Sequence, residues 1–391
     1  MRLTGKPLLL LAAVAALMLP VACLWYWSRP ERLRRARVPV RFSLFLSSQL
    51  AVVFVVGLAL NDYGQFYSSW SDLLGTGPTA AVDHPSAHFG GTDLNIHPFV
   101  KPAFLDRGMP EIPSDAAKWN VQGWSQQSEW ATRGAIVSTQ VTGPVSNLAQ
   151  QALVYLPPRY FRAGPDNRKL PVVEVLTGFP GDASNLVSRM HYPDILSEEI
   201  AAGTAQDVVL VMMRPAPTFP WDTECTDVPG GPQTVQFFTE DVPSSITSQF
   251  SLAPTGWAVA GDSTGGYCSA KIALMDPSRF AASAVLSGYF KPSTDLTTRG
   301  IFSGNKAFYN ENDLTWRMSH DQIPPISMLI ATAKDERGAD GYATAQSWLD
   351  SVKAPMSADE LLLDEGGHNF NTWSREIPYA LQWLSEHLPS A

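Results

Sequence analysis

The chain carries little charge: Lys, Arg, Asp and Glu make up 17% of its 391 residues. Basic residues are scarcest beyond residue 42. Of the 28 Lys and Arg, eight lie in residues 1–42, with one of the 37 Asp and Glu; the remaining 20 basic and 36 acidic residues give the rest of the chain −16. A surface so acidic argues against nucleic acid as the partner. Cysteine is rarer still, with three residues, Cys23, Cys225 and Cys268, too few for a disulfide scaffold. No segment repeats, which argues against a solenoid or propeller.

Charge vanishes altogether in two places. Residues Pro7–Trp27 and Phe42–Asn61 contain no ionisable Asp, Glu, Lys or Arg, and each is long enough to cross a bilayer as a helix. Between them Ser28–Arg41 holds Arg29, Arg32, Arg34, Arg35, Arg37 and Arg41 against Glu31 alone. A short loop so basic stays in the cytoplasm, which puts everything after Asn61 outside the cell membrane. Trp25, Tyr26 and Trp27 mark one interface; Tyr63, Phe66, Tyr67 and Trp70 mark the other. A cleaved signal peptide would not leave a second apolar stretch and an Arg-rich loop behind. A lipid-modified Cys23 is disfavoured by Pro20, where such a signal wants a branched or leucine side chain.

The expected division is residues 1–61 as two transmembrane helices (about 7–27 and 42–61), 62–130 as a juxtamembrane segment and linker, and 131–391 as a catalytic domain. Asp62–Leu74 reads as a short amphipathic helix, and Gly75–Pro113 as Gly/Pro-rich linker. His84, His88 and His97 lie in the linker at irregular spacing and read as solvated loop residues rather than metal ligands. From Gly134 onward short apolar runs alternate with helical stretches, the pattern of a mostly parallel α/β sheet. Runs such as Val208–Met212 are apolar throughout, as strands covered on both faces must be.

One stretch carries chemistry. Gly261-Asp262-Ser263-Thr264-Gly265 follows the apolar run Trp257–Ala260 and opens a small-residue helix to Met275. Strand, sharp turn and helix around Gly-x-Ser-x-Gly is what a nucleophile elbow requires, with Ser263 exposed in the turn and the Thr264 N–H placed for an oxyanion. Two histidines follow. His387 sits among apolar residues near the end of the last helix. His368, in Gly366-Gly367-His368-Asn369 directly after a strand, is the expected general base. The acid that orients it is Asp335 or Glu336, at the end of strand Ile326–Thr332; Asp262 reads as an elbow-shaping residue. A second oxyanion donor is expected in Leu176-Thr177-Gly178-Phe179-Pro180, and Phe179 supplies it because Pro180 has no N–H. Phe219, Trp221, Tyr289 and Phe290 are candidates to wall an acyl pocket.

From Gly134 on, the chain resembles the esterase group that includes esterase D and the mycobacterial mycolyltransferases of the antigen complex. The residues that carry the likeness are Val175–Phe179, Gly261–Gly266 and Gly366-Gly367-His368. The whole chain is similar to actinobacterial membrane-anchored members, through Ser69–Gly75, Asp222–Pro232 and Gly366–Trp373. The resemblance implies an α/β-hydrolase fold and ester hydrolysis or acyl transfer at the cell envelope, with no metal or organic cofactor. It leaves the acid open between Asp335 and Glu336. Cys225 and Cys268, both in the outer domain near loops expected around the site, are candidates for a disulfide, with free buried thiols the alternative. The expected activity is a serine esterase on ester or lipid substrates. The alternatives are an acyltransferase that hands the acyl chain to a sugar or glycerol hydroxyl, and a non-catalytic envelope protein on the same fold.

Overall fold

The computed structural model describes residues 6–27, 34–64, 70–73, 86–88, 130–161 and 169–390. Most of the expected linker, with His84 and His97, lies outside them.

At the N-terminus two helices, Lys6–Trp27 and Arg34–Gly64, form a candidate transmembrane hairpin; among the described residues, Lys6–Trp27 and Pro39–Asn61 are the stretches long and apolar enough to cross a membrane. The second helix begins inside the expected basic loop, since arginine is a good helix former. Ala12 and Leu58 are buried between the two helices, with Leu8, Leu9 and Val55 packed against them. Leu10, Leu17, Val53 and Leu60 stay exposed, a surface suited to an apolar solvent. The Arg41 guanidinium lies over the Trp27 ring, 5.9 Å from its centre, and donates to the Trp27 carbonyl at 3.5 Å.

The remaining described residues build a nine-stranded sheet. Its strands are β1 (Ser86–His88), β2 (Ala135–Thr142), β3 (Ala149–Leu156), β4 (Val172–Leu176), β5 (Val209–Met213), β6 (Trp257–Asp262), β7 (Phe280–Leu286), β8 (Ser327–Ala333) and β9 (Ser357–Leu363), in the order β1-β9-β8-β7-β6-β4-β5-β3-β2. β5, β4, β6, β7, β8 and β9 run parallel; β3, β2 and β1 are antiparallel additions at the two ends. β1 is a three-residue edge strand inside what the sequence presents as linker; nothing so short leaves a periodicity to read.

The all-apolar strands are covered on both faces, as their composition demands. Val209, Val211 and Met213 point into one core layer with Val259, Phe237 and Ile246; Leu210 and Met212 point into the other with Ala258, Ala260 and Trp383. Each such Val or Leu contributes about 2 kcal/mol of burial. The last helix, Phe370–His387, lays Trp373, Ile377, Ala380, Leu381 and Leu384 into the second layer, a 3.6-residue stripe. Between β4 and β5 the chain forms two helices, Ala183–Ser188 and Tyr192–Ala202, rather than one. Pro193 has no N–H to continue a helix, and it sits in the first turn of the second one.

Candidate active site

β4 and β6 are neighbours, but the chain leaves β4 toward β5 on one side and returns to β6 on the other. The loops beyond their C-terminal ends therefore part, opening a crevice where α/β proteins hold ligands. Those two loops are Thr177–Gly181 and the Ser263 turn.

Ser263 stands between β6 and helix Thr264–Met275 at φ 53°, ψ −120°, a backbone conformation costly for a residue with a Cβ. Its neighbours explain why both flanking positions are glycine. A Cβ on Gly265 would lie 2.0 Å from the Leu176 carbonyl oxygen, and one on Gly261 would lie 2.3 Å from the Gly265 carbonyl oxygen. The turn is thus pressed against the end of β4. A Cβ on Gly178 would lie 3.0 Å from the Ser263 Cβ, so the β4 loop passes directly beside the serine.

Asp262 is fully buried and shapes this arrangement: its Oδ2 accepts the Gly178 N–H at 2.8 Å. In the same loop the Thr177 N–H goes to the Met213 carbonyl and the Gly181 N–H to the Gly178 carbonyl. Pro180 has none. The Phe179 N–H is left as the loop amide with no protein acceptor among the described residues, and the first amides of helix Thr264–Met275, beginning with Thr264, have no intrahelical partner.

The structure separates the two candidate acids. Asp335 is exposed; Glu336 is 2% exposed. Glu336 Oε2 accepts from Ser287 Oγ at 2.8 Å and Thr332 Oγ1 at 3.1 Å, at the C-terminal ends of β7 and β8, on the side of the sheet where β6 ends. A second buried carboxyl, Glu376, is pushed well above the usual carboxylate range by burial and then by the nearby Glu336 charge. His368 is half-buried in the short connection between β9 and helix Phe370–His387, following Gly366, where a Cβ would lie 2.6 Å from the Ala333 Cβ at the end of β8. His387 is occupied at the end of its helix: it stacks on Trp383 at 3.9 Å between ring centres, with Nδ1 2.8 Å from the Trp383 carbonyl oxygen. Among the described residues no three His, Cys, Asp or Glu gather as metal ligands.

The expected pocket wall divides. Phe219 is 47% exposed and lies 5.9 Å from Phe179, with Arg214 stacked over it at 4.6 Å. Tyr289 and Phe290 are core instead, stacked on Tyr267 and Trp348 at 5.1 and 4.2 Å; aromatic pairs this close exclude a ligand from between them. A surface cavity of about 410 Å³ opens in the stretch after β7, lined by Thr294, Thr298, Phe302, Asn305, Lys306 and Tyr309.

Sequence reasoning missed the buried polar cluster behind the turn. Cys225 and Cys268 form a disulfide, and around it Glu224, Lys271 and Asn312 are all buried. Burial, then the Asp222 charge, push the Glu224 carboxyl up to about 8; burial pushes Lys271 down to about 7 against the pull of Glu224 and Asp227. Lys271 nonetheless meets three acceptors, Asn312 Oδ1, Thr226 Oγ1 and the Glu224 carbonyl, at 2.5, 2.8 and 3.2 Å. The available signal was a polar Thr264 and Lys271 seven positions apart on one face of a helix otherwise made of small and apolar residues.

The family model described as "Putative esterase" matches residues 147–384. The MPT51 antigen of Mycobacterium leprae is 33% identical over 79 residues, 20% of this chain and 26% of that protein; the MPT51/MPB51 antigen of Mycobacterium tuberculosis is 32% identical over 79 residues. The chain thus spans about a quarter of the length of these relatives. In fold the chain is similar to an S-formylglutathione hydrolase from Agrobacterium tumefaciens (TM-score 0.55, 18% identity, 66% of this chain and 97% of that one). It is likewise similar to a ferulic acid esterase (TM-score 0.54, 18% identity, 65% and 98%). The two structures show that the sheet has an α/β-hydrolase-like fold, and with a model matching well over half its length, the chain belongs to this esterase family.

Proposed function

We propose that the protein is a membrane-anchored serine esterase whose catalytic domain, residues 131–391, works outside the cytoplasmic membrane. The carrying observation is the strained Ser263 turn, pressed between Gly178 and the start of a helix with unpaired amides on both sides. Ser263 Oγ attacks the ester carbonyl while His368 takes its proton. The Phe179 and Thr264 N–H groups hold the developing oxyanion; each such donor is worth about 3 kcal/mol in the transition state. His368 returns the proton to the leaving alcohol, and water then releases the acyl group by the reverse route.

Glu336 is the acid in this reading. A carboxylate that orients a histidine has to be fixed and shielded, and Glu336 is buried and held by two hydroxyls whereas Asp335 points to solvent. His368 is assigned on chain connectivity: it follows β9, whose C-terminal end lies on the same side of the parallel sheet as the serine turn. Two uncharged N-terminal stretches joined by an Arg-rich loop support a bilayer anchor and the outward orientation. The Cys225–Cys268 disulfide suits that oxidising side.

A fluorophosphonate probe tests the assignment. The wild-type protein labels once and S263A does not; equal labelling of S263A, or none of the wild type, refutes it. Adding a sugar or glycerol acceptor to the ester assay separates the transferase from the hydrolase: a transferase turns over faster with acceptor, a hydrolase does not.

A further inference from the structure

The helix that begins at the serine turn is clamped along one face. Thr264, Tyr267, Cys268 and Lys271, at positions i, i+3, i+4 and i+7, are all buried and all lead toward residues 222–226 or Asn312. Cys268 is bonded to Cys225, Lys271 reaches Glu224 and Thr226, and the Tyr267 hydroxyl donates to the Asn312 carbonyl at 2.7 Å.

The remaining link is the one nearest Ser263. The Tyr289 hydroxyl lies 2.9 Å from each oxygen of Glu224 and 3.1 Å from Thr264 Oγ1. A phenol has one proton to give. The Tyr289 hydroxyl donates it toward Glu224 or toward Thr264 Oγ1, so the Glu224 carboxyl decides how the bond to Thr264 runs. Glu224 is fixed in turn by the Ser293 N–H at 3.1 Å, and Tyr289 by its stack on Tyr267. Two features mark this as more than packing. A carboxyl is costly to bury where an apolar side chain would cost nothing, and the backbone is left-handed at two consecutive non-glycine residues, Glu224 (φ 51°) and Cys225 (φ 43°). Strain of that kind persists where the surroundings over-determine a geometry.

We propose that Glu224 is a positioning residue of the esterase site, acting through Tyr289 on Thr264, whose amide is one of the two oxyanion donors. Ser263 sets one side of Thr264 through the turn; the Tyr289–Glu224 pair sets the other through its hydroxyl. The inference rests on the proposed roles of Ser263 and Thr264. Replacing Glu224 by Gln keeps the volume but puts an NH₂ or a weaker carbonyl acceptor opposite Tyr289. With Ser293 keeping the amide oxygen, the NH₂ donates to Tyr289, whose proton is left with Thr264 alone, and the carboxyl that held Tyr289 through both oxygens is gone.

The test uses the full chain in detergent, with p-nitrophenyl butyrate turnover and fluorophosphonate labelling of wild type, S263A, E224Q, Y289F and the E224Q/Y289F double variant. Both single variants are expected to lower kcat about tenfold or more with KM within about twofold, since the lost interaction matters when the oxyanion forms. The double variant is expected to be no slower than the slower single, because both cut one chain. If the variants melt earlier but keep wild-type kcat well below their melting temperature, Glu224 only holds the fold and the inference is wrong. If E224Q does not fold, T264V and T264S decide it: a tenfold loss in T264V, largely restored in T264S, supports the link, and wild-type turnover in T264V overturns it. Should the wild type itself resist labelling, the failure belongs to the nucleophile assignment and the inference falls with it.

Discussion

Gly265→Ala is the perturbation whose consequence the structure fixes most tightly. The new Cβ would lie 2.0 Å from the Leu176 oxygen, 2.6 Å from the Leu176 carbonyl carbon and 2.7 Å from the Thr177 oxygen. All three are backbone atoms at the end of a central strand, so no side chain can swing away. Helix and strand end must separate by roughly 1 Å to restore ordinary contact. Overpacking of that size costs about 2 kcal/mol, which lowers the melting temperature of a domain this large by about 4–8 °C. The same shift moves the Thr264 amide away from the Phe179 amide, and a misplacement of about 1 Å at a reacting centre costs about 100-fold in rate. Differential scanning fluorimetry reads the first effect and the second-order rate of fluorophosphonate labelling reads the second. Leu296→Ala, at a side chain 96% exposed, is the control and should change stability by less than about 0.5 kcal/mol. A G265A protein with wild-type melting and wild-type labelling would refute the account of the turn.

Three further outcomes follow from the same geometry. E336Q should lower kcat/KM about 10³- to 10⁴-fold, in the range expected when a triad acid loses its charge, whereas D335N should leave it within about twofold. Reducing the Cys225–Cys268 bond, which closes a separation of 43 residues, should cost about 4 kcal/mol of stability in the chain-entropy account, read as a reductant-dependent fall in melting temperature that C225A/C268A no longer shows. Glu198 is pushed up to about 7 by burial and by the charges of Asp194 and Glu199. A carboxyl raised in the folded state adds stability below its unfolded value, and that contribution is lost as pH rises through about 7. E198Q should therefore melt about 1–2 °C higher than wild type at pH 8 and no higher at pH 5, the effect being small because the side chain is partly solvated.

How far the sequence could be read depended on whether a constraint was local. The serine turn was legible because tight backbone contact permits only glycine at 261 and 265, and that need shows in five consecutive letters. The central strands β4, β5 and β6 were legible because burial on both faces forces near-continuous apolar runs, whereas β2, β3 and β9 are buried over only part of their length. Asp335 and Glu336 could not be told apart, being adjacent in one turn; which of them points inward depends on Ser287 and Thr332, brought there by β7 and β8. Tyr289 and Phe290 looked like pocket wall because aromatic residues near a site serve either role, and only their stacking partners, Tyr267 and Trp348, decide it. The Glu224–Tyr289–Thr264 chain was illegible for the same reason: its members are 25 and 65 residues apart and meet only in the fold.

The covalent intermediate is the most direct test of the esterase mechanism. Rapid mixing of the full-length protein with a p-nitrophenyl ester, quenched in acid and digested, should show a burst of about one equivalent of phenol and an acyl mass on the peptide that contains Ser263. Steady-state ester cleavage with no adduct on that peptide, or with an adduct that survives in S263A, would contradict it.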